Sequence, residues 1–122
     1  MRPETEQERA ERHQRSIEAY RQLVDPANPP KGPYLFEHHF HSSDDGDISG
    51  LLGLLEDEMG FKGEVFAYSP DDQERPWTVV AVKTDRLEEA RVLALSDEME
   101  RLARQYDVIY DGWVTRVEER KA

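Results

Sequence analysis

From Thr5 to Val24 apolar positions are sparse, but Ile17, Tyr20 and Val24 recur at helical spacing, with His13 in line with them. Thr5 followed by Glu8 is a capping-box start. The pattern predicts a helix that meets the rest of the molecule along one narrow face. Asp25-Pro26 stops it, and Asn28-Pro29-Pro30-Lys31-Gly32-Pro33 predicts a stiff connection. At Tyr34 the period falls to two. Tyr34, Phe36, His38 and Phe40 alternate with Leu35, Glu37, His39 and His41, which predicts a strand over 34–41. After a turn of capping residues, Ser42 to Asp47, the period returns to helical. Ile48, Leu51, Leu52, Leu55 and Met59 share one face and Gly60 is placed to end the helix. Gly50 and Gly53 each weaken that helix by roughly 1 kcal/mol relative to alanine, and close packing onto a sheet is the expected compensation.

Phe61 to Tyr68 reads as a second strand, and Ser69 to Pro76 as an exposed connection. Trp77 to Thr84 follows as a third. Its centre, Thr78-Val79-Val80-Ala81-Val82, is apolar on both parities, as an interior strand is. A long helix is predicted over 87–106, with Leu87, Ala90, Ala94, Met99, Leu102 and Tyr106 on its buried face, and a last strand over 108–117. After the first helix the order is strand, helix, strand, strand, helix, strand. That order predicts an α+β, ferredoxin-like βαββαβ unit: an antiparallel four-stranded sheet with two helices on one face. Residues 1–33 are expected to form a helix and linker packed on a body of 34–122.

Composition narrows the function. A chain of 122 residues with 37% apolar residues supports one modest core. Its net charge of −11 argues against direct contact with RNA or DNA, whose partners present basic patches. The charge is also uneven. Residues 1–22 hold five acids and five arginines, so the whole excess falls on 23–122. An acidic body is steered toward basic partners. There is no cysteine, which excludes disulfides and thiolate chemistry. With neither an apolar leader nor a membrane-length apolar run, a cytoplasmic location is expected.

Two stretches resemble one family. Tyr106-Asp107-Val108-Ile109-Tyr110-Asp111-Gly112-Trp113 is similar to the aromatic-Asp-Val-x-Tyr-Asp-Gly-Trp run of the RraB-type regulators of ribonuclease E. Tyr34-Leu35-Phe36-Glu37-His38-His39-Phe40 is similar to that family's Glu-His-His strand, which also follows a helix rich in Glu and Arg. Val114 departs from the pattern, standing where the family usually has glycine, and the chain ends at Ala122 without the acidic tail of some relatives. A tail-mediated contact is therefore not expected. The resemblance implies a ferredoxin-like fold, no cofactor, and a non-enzymatic regulator that binds ribonuclease E and lowers its activity.

His39 and His41 share a strand side with Glu37, and two histidines at i and i+2 can chelate a metal. If the first and last strands are neighbours, as this topology implies, Asp111 lies across the sheet and is expected to cluster with Glu37 and His39. A hydrogen-bonded polar patch is the plainer alternative. His38, on the other parity, is expected to be a satisfied core histidine. Asp111 shares Trp113's parity, and a bond to nearby backbone or to a histidine is its simplest use. Trp113 has both a packing reading and an interface reading. Asp44-Asp45-Gly46-Asp47 lacks the further ligands of a calcium loop, and the helix dipole accounts for its acids. Glu56-Asp57-Glu58, Asp71-Asp72-Gln73-Glu74 and Asp97-Glu98-Met99-Glu100 are expected to be solvated faces, yet together they are the large electrostatic feature of the chain.

No catalytic residues and no metal are assigned. The candidate partner-binding residues are Glu37, His39, His41, Glu56, Asp57, Glu58, Asp111 and Trp113, with ribonuclease E or a related ribonuclease as the expected partner. The alternatives are a small-ligand or metal-binding domain using the strand histidines, and a domain that self-associates through a sheet edge.

Overall fold

A computed structural model describes residues 2–24, 27, 33–72 and 74–116. Its elements are α1 (Glu6–Leu23), β1 (Tyr34–Ser42), α2 (Asp45–Met59), β2 (Lys62–Tyr68), β3 (Trp77–Asp85), α3 (Glu89–Gln105) and β4 (Ile109–Arg116). The class is α+β, three helices with an antiparallel sheet among the described residues. The strands lie in the order β2-β3-β1-β4, and every neighbouring pair is antiparallel. The expected stop at Asp25-Pro26, the connection over 28–32, Gln73 and the end of the last strand at Val117 lie outside the described residues.

The caps are where the sequence puts them. The Thr5 hydroxyl accepts from the Glu8 N–H while Glu8 accepts from the Thr5 N–H, closing the capping box. Asp44 caps α2 by accepting from the N–H groups of Gly46 and Asp47. Gly60 ends α2 at φ 74°, a left-handed conformation that glycine adopts without strain.

One face of the sheet carries the main core. Phe40, Val79 and Ala81 point at Ile48, Leu51 and Leu55 of α2 and at Met99, Leu102 and Ala103 of α3. Burying each larger side chain contributes roughly 1.5–3 kcal/mol. A second cluster joins Phe36, Leu87, Val92 and Leu95, with Tyr20 and Val24 of the α1 region and Trp113 packed against it. Both α2 and α3 therefore cover the same face, and α1 packs on α3 beside Trp113.

Three expectations about faces need correction. The residues buried along α1 are Arg12 and Ser16, whereas His13, Ile17, Tyr20 and Val24 are only half-buried. This helix is fixed by a polar clip as well as an apolar stripe. In α3 the buried face is Val92, Leu95, Ser96, Met99, Leu102 and Ala103. Ala90 and Ala94 are exposed, and Leu87 is buried but precedes the helix. The glycines of α2 do not both serve close packing. A Cβ on Gly50 would sit 3.3 Å from the Tyr106 ring, so that residue packs on the end of α3 rather than on the sheet, while Gly53 faces open space.

Candidate functional site

The Tyr106–Trp113 run is built into the junction between α3 and β4. Asp107 takes φ 57° and turns the chain out of α3. The Val108 N–H then donates to the Ala103 carbonyl at 2.8 Å. On β4, Phe40 pairs with Tyr110 and His38 with Trp113, so His39 meets two residues, Asp111 and Gly112, in place of one. This is a β-bulge, and Gly112 supplies its φ of 96°. The extra residue reverses the expected parity. Trp113 and Tyr110 both point at the helices, and Asp111 points to the opposite face.

On the helix side, Trp113 Nε1 donates to Ser16 Oγ at 3.2 Å, and its ring lies 5.6 Å from Phe36. The packing role of Trp113 is thereby visible in α1 and in β1. His38 is fully buried, with Nδ1 2.8 Å from the Tyr110 hydroxyl. Its Nε2 has no hydrogen-bond partner among the described residues, so the expectation of a fully satisfied core histidine holds for one nitrogen only. Burial, reinforced by the nearby charge of His39 and opposed by Asp85, lowers the imidazole to about 4 and keeps it neutral. Burial likewise pushes the Tyr110 phenol upward, with Arg12 opposing and Glu100 adding to it.

On the open face His41 and Asp111 are hydrogen-bonded, whereas the buried Nε2 of His39 has no hydrogen-bond partner among the described residues. His41 Nε2 lies 3.2 Å from Asp111 Oδ2, and His41 Nδ1 lies 3.0 Å from Thr78 Oγ1. His39 Nε2 stands 3.9 Å from Glu37 Oε1. The Asp111 carboxylate thus reaches His41, although the register sets Asp111 opposite His39. Among the described residues no group of three or more His, Asp or Glu is arranged to hold a metal ion. Val80 and Val82, beneath this polar layer, are almost wholly covered.

The acidic clusters separate into two kinds. Asp97 is engaged by α1: Arg12 reaches it at 2.8 Å, Arg9 at 3.1 Å and His13 at 2.6 Å. Arg12 also donates to Glu4 and to Ser96 Oγ. Burial would raise the Asp97 carboxyl, but hydrogen bonds from His13, Arg12 and Arg9 outweigh it and hold the group well below the usual carboxylate range. The hydrogen bond from Arg12 lowers Glu4 as well, against a contribution from burial. Glu100 pairs with Arg104 at 2.8 Å. The expectation of a solvated Asp97–Glu100 face fails because two of its acids close contacts within the molecule. Glu56, Asp57 and Glu58 on the last turns of α2 are exposed, as are Asp71, Asp72 and Glu74 between β2 and β3.

A further surface escaped the sequence reading. Phe66 and Tyr68 of the edge strand β2 are 46% and 57% exposed, and their rings lie 5.5 and 4.8 Å from Trp77. Aromatics at both positions signal a strand. Their exposure depends on β2 being an edge that α2 leaves partly uncovered, which no local pattern encodes.

Residues 13–115 match the family model described as Regulator of ribonuclease activity B, RraB. The match takes in both the β1 strand and the Tyr106–Trp113 run. No curated protein sequence matches the chain significantly.

Proposed function

The chain belongs to the RraB family, regulators of ribonuclease activity, and on that premise we propose that it is a non-enzymatic protein that binds ribonuclease E, or a related ribonuclease, and lowers its activity. The observation that carries this reading is the family match over 13–115, reinforced by the β4 bulge motif at the end of that span. Electrostatics supports the mode of action. A body with net charge −11 is repelled by RNA and attracted to basic protein segments of the kind that bind RNA. Occupying such a segment is a sufficient route to slower cleavage.

The sheet order β2-β3-β1-β4, with α2 and α3 on one face, supports a ferredoxin-like reading of the fold. No described helix is long and apolar enough to cross a membrane, and a cytoplasmic site of action goes with a ribonuclease partner. Contact residues are proposed from two regions: Glu37, His39, His41 and Asp111 on the open face, and Glu56, Asp57 and Glu58 on α2. Trp113, committed to Ser16 and Phe36, acts by holding the fold beside them.

The test is cleavage of a model RNA by ribonuclease E from the same organism, with and without the purified chain, alongside a low-salt pull-down. Slower cleavage and retention on the enzyme are expected. An unchanged rate with no retention would refute the reading.

A further inference from the structure

Edge strands expose a row of unpaired backbone groups, and proteins usually blunt them with charge, bulges or a covering element. The described edge of β2 is blunted along half its length. Lys62 and Glu64 place charges there, and the register shift between Gly63 and Val65 makes Glu64 an extra residue in a bulge. The other half, Phe66 to Tyr68, pairs regularly with β3 through Val79, Thr78 and Trp77. It carries the two largest exposed aromatics of the described chain, and no charged side chain.

The surroundings of this half-strand are acidic. The hairpin that leaves Tyr68 is closed by the Ser69 N–H donating to the Pro76 carbonyl at 2.7 Å. Its loop exposes Asp71, Asp72 and Glu74, with the single cation Arg75, around a shallow groove that His41 and Thr78 line on the open face, across the strand from the Phe66 and Tyr68 rings. Asp72 is occupied by the backbone N–H groups of Glu74 and Arg75. The Asp71 and Glu74 carboxylates make no ion pair among the described residues. Beyond Trp77 stands Ser42, its partner on β1, which leads directly to the exposed Asp44 and Asp45 at the start of α2.

The geometry points to the Phe66–Tyr68 half of β2 as a docking edge that takes an extended, Arg- or Lys-bearing segment of a protein partner as an added strand. This rests on the proposed function in so far as the partner is a ribonuclease. Three interactions converge. Backbone groups of Phe66 and Tyr68, on the side of β2 that meets no other strand among the described residues, supply the ladder, as in strand addition. The Phe66, Tyr68 and Trp77 rings receive alternate side chains, with guanidinium or ammonium groups over their faces. The hairpin acids neutralise the remaining positive charge. A second copy of this chain is a poorer occupant, because it would set acidic hairpins and a like net charge against each other.

The probe is a synthetic peptide alternating Arg and Val, titrated into the isotope-labelled full chain and followed by amide NMR. Shifts concentrated from Glu64 to Ser69 are expected. The double substitution Phe66→Ser with Tyr68→Ser should weaken binding by about tenfold, from the loss of stacking and cation–π contacts. Asp71→Lys with Glu74→Lys, two exposed positions whose side chains make no ion pair among the described residues, should weaken it similarly. The same peptide methylated on alternate backbone nitrogens should not bind. Shifts confined to β4 or to α2, unchanged affinity in the aromatic variant, or equal binding of a peptide with Glu in place of Arg would each overturn the proposal. So would a light-scattering mass of two chains that reverts to one in the aromatic variant, since the edge would then belong to a second copy. If wild-type chain fails to bind ribonuclease E, the functional reading falls and the peptide titration still decides the edge. If wild type and aromatic variant bind ribonuclease E equally, that reading stands and the edge is refuted.

Discussion

Almost every residue of the Tyr106–Trp113 run has an internal structural use. Tyr106 seats Gly50, Asp107 turns the chain, Tyr110 bonds His38, Asp111 bonds His41, Gly112 forms the bulge and Trp113 bonds Ser16. The run therefore marks kinship through architecture, and of its residues Asp111 alone is among the proposed contacts. His38 carries the clearest residue-scale prediction. Its imidazole falls from 6.5 to about 4 on folding, because burial disfavours the cation. Between those values the unfolded chain takes up a proton that the folded chain refuses. This contribution to stability is full above the ordinary histidine range and is lost as pH drops from 6.5 toward about 4. The whole shift corresponds to roughly 3 kcal/mol. Urea midpoints measured across that window should decline in wild type and be flatter in His38→Gln, which keeps a polar partner for Tyr110. Parallel curves would refute the assignment.

At the scale of elements, α1 is held by a clip centred on Arg12, whose side chain is nearly buried between Glu4, Ser96 and Asp97. Removing Arg12 leaves the largely buried Glu4 without its hydrogen-bonded partner, while Asp97 keeps Arg9 and His13, at a cost of up to about 3 kcal/mol. Arg12→Met should therefore speed amide exchange throughout α1 while leaving α2 protected, since α2 is anchored by Ile48, Leu51 and Leu55 instead. Equal protection of α1 in wild type and variant would show that the apolar stripe suffices. Acid should act on the same clip. Glu4 and Asp97 are both held low in the folded chain, so their stabilisation is present above the ordinary carboxylate range and is lost as pH falls below about 4.

For the molecule as a whole, the internal pairing of the N-terminal charges shapes the field. Arg12 is turned inward onto Asp97 and Glu4, the exposed Arg9 pairs with Asp97, and Arg104 pairs with Glu100. Among the described residues, the acids at the end of α2 and Asp71 and Glu74 of the β2–β3 hairpin are exposed and make no ion pair. Reversing Glu56, Asp57 and Glu58 to Lys should weaken binding to ribonuclease E by about tenfold at low salt, with the difference shrinking as salt screens the charges. Calorimetric titration at two ionic strengths measures both effects. An unchanged affinity at low salt would remove α2 from the contact surface.

The elements were legible in the sequence because their signals are local. The capping box at Thr5, the alternation through Tyr34–His41, the stripe ending at Gly60 and the doubly apolar centre of β3 each depend on near neighbours. The charge asymmetry and the kinship carried by Tyr106–Trp113 were equally open to reading. Arrangement across elements was not. Whether Trp113 shares a face with Asp111 or with Tyr110 turned on one extra residue at Gly112, because a single insertion flips every later side chain to the other face. Asp97 could not be distinguished from Asp71 by its neighbours in the chain, since the arginines that occupy it come from a helix some 85 residues away. The exposure of Phe66 and Tyr68 likewise depended on which strand ended at the edge. The sequence by itself determined the elements and the sign of the charge; tertiary pairing decided which charged and aromatic groups stayed free for a partner, because freedom is what remains after distant contacts have formed.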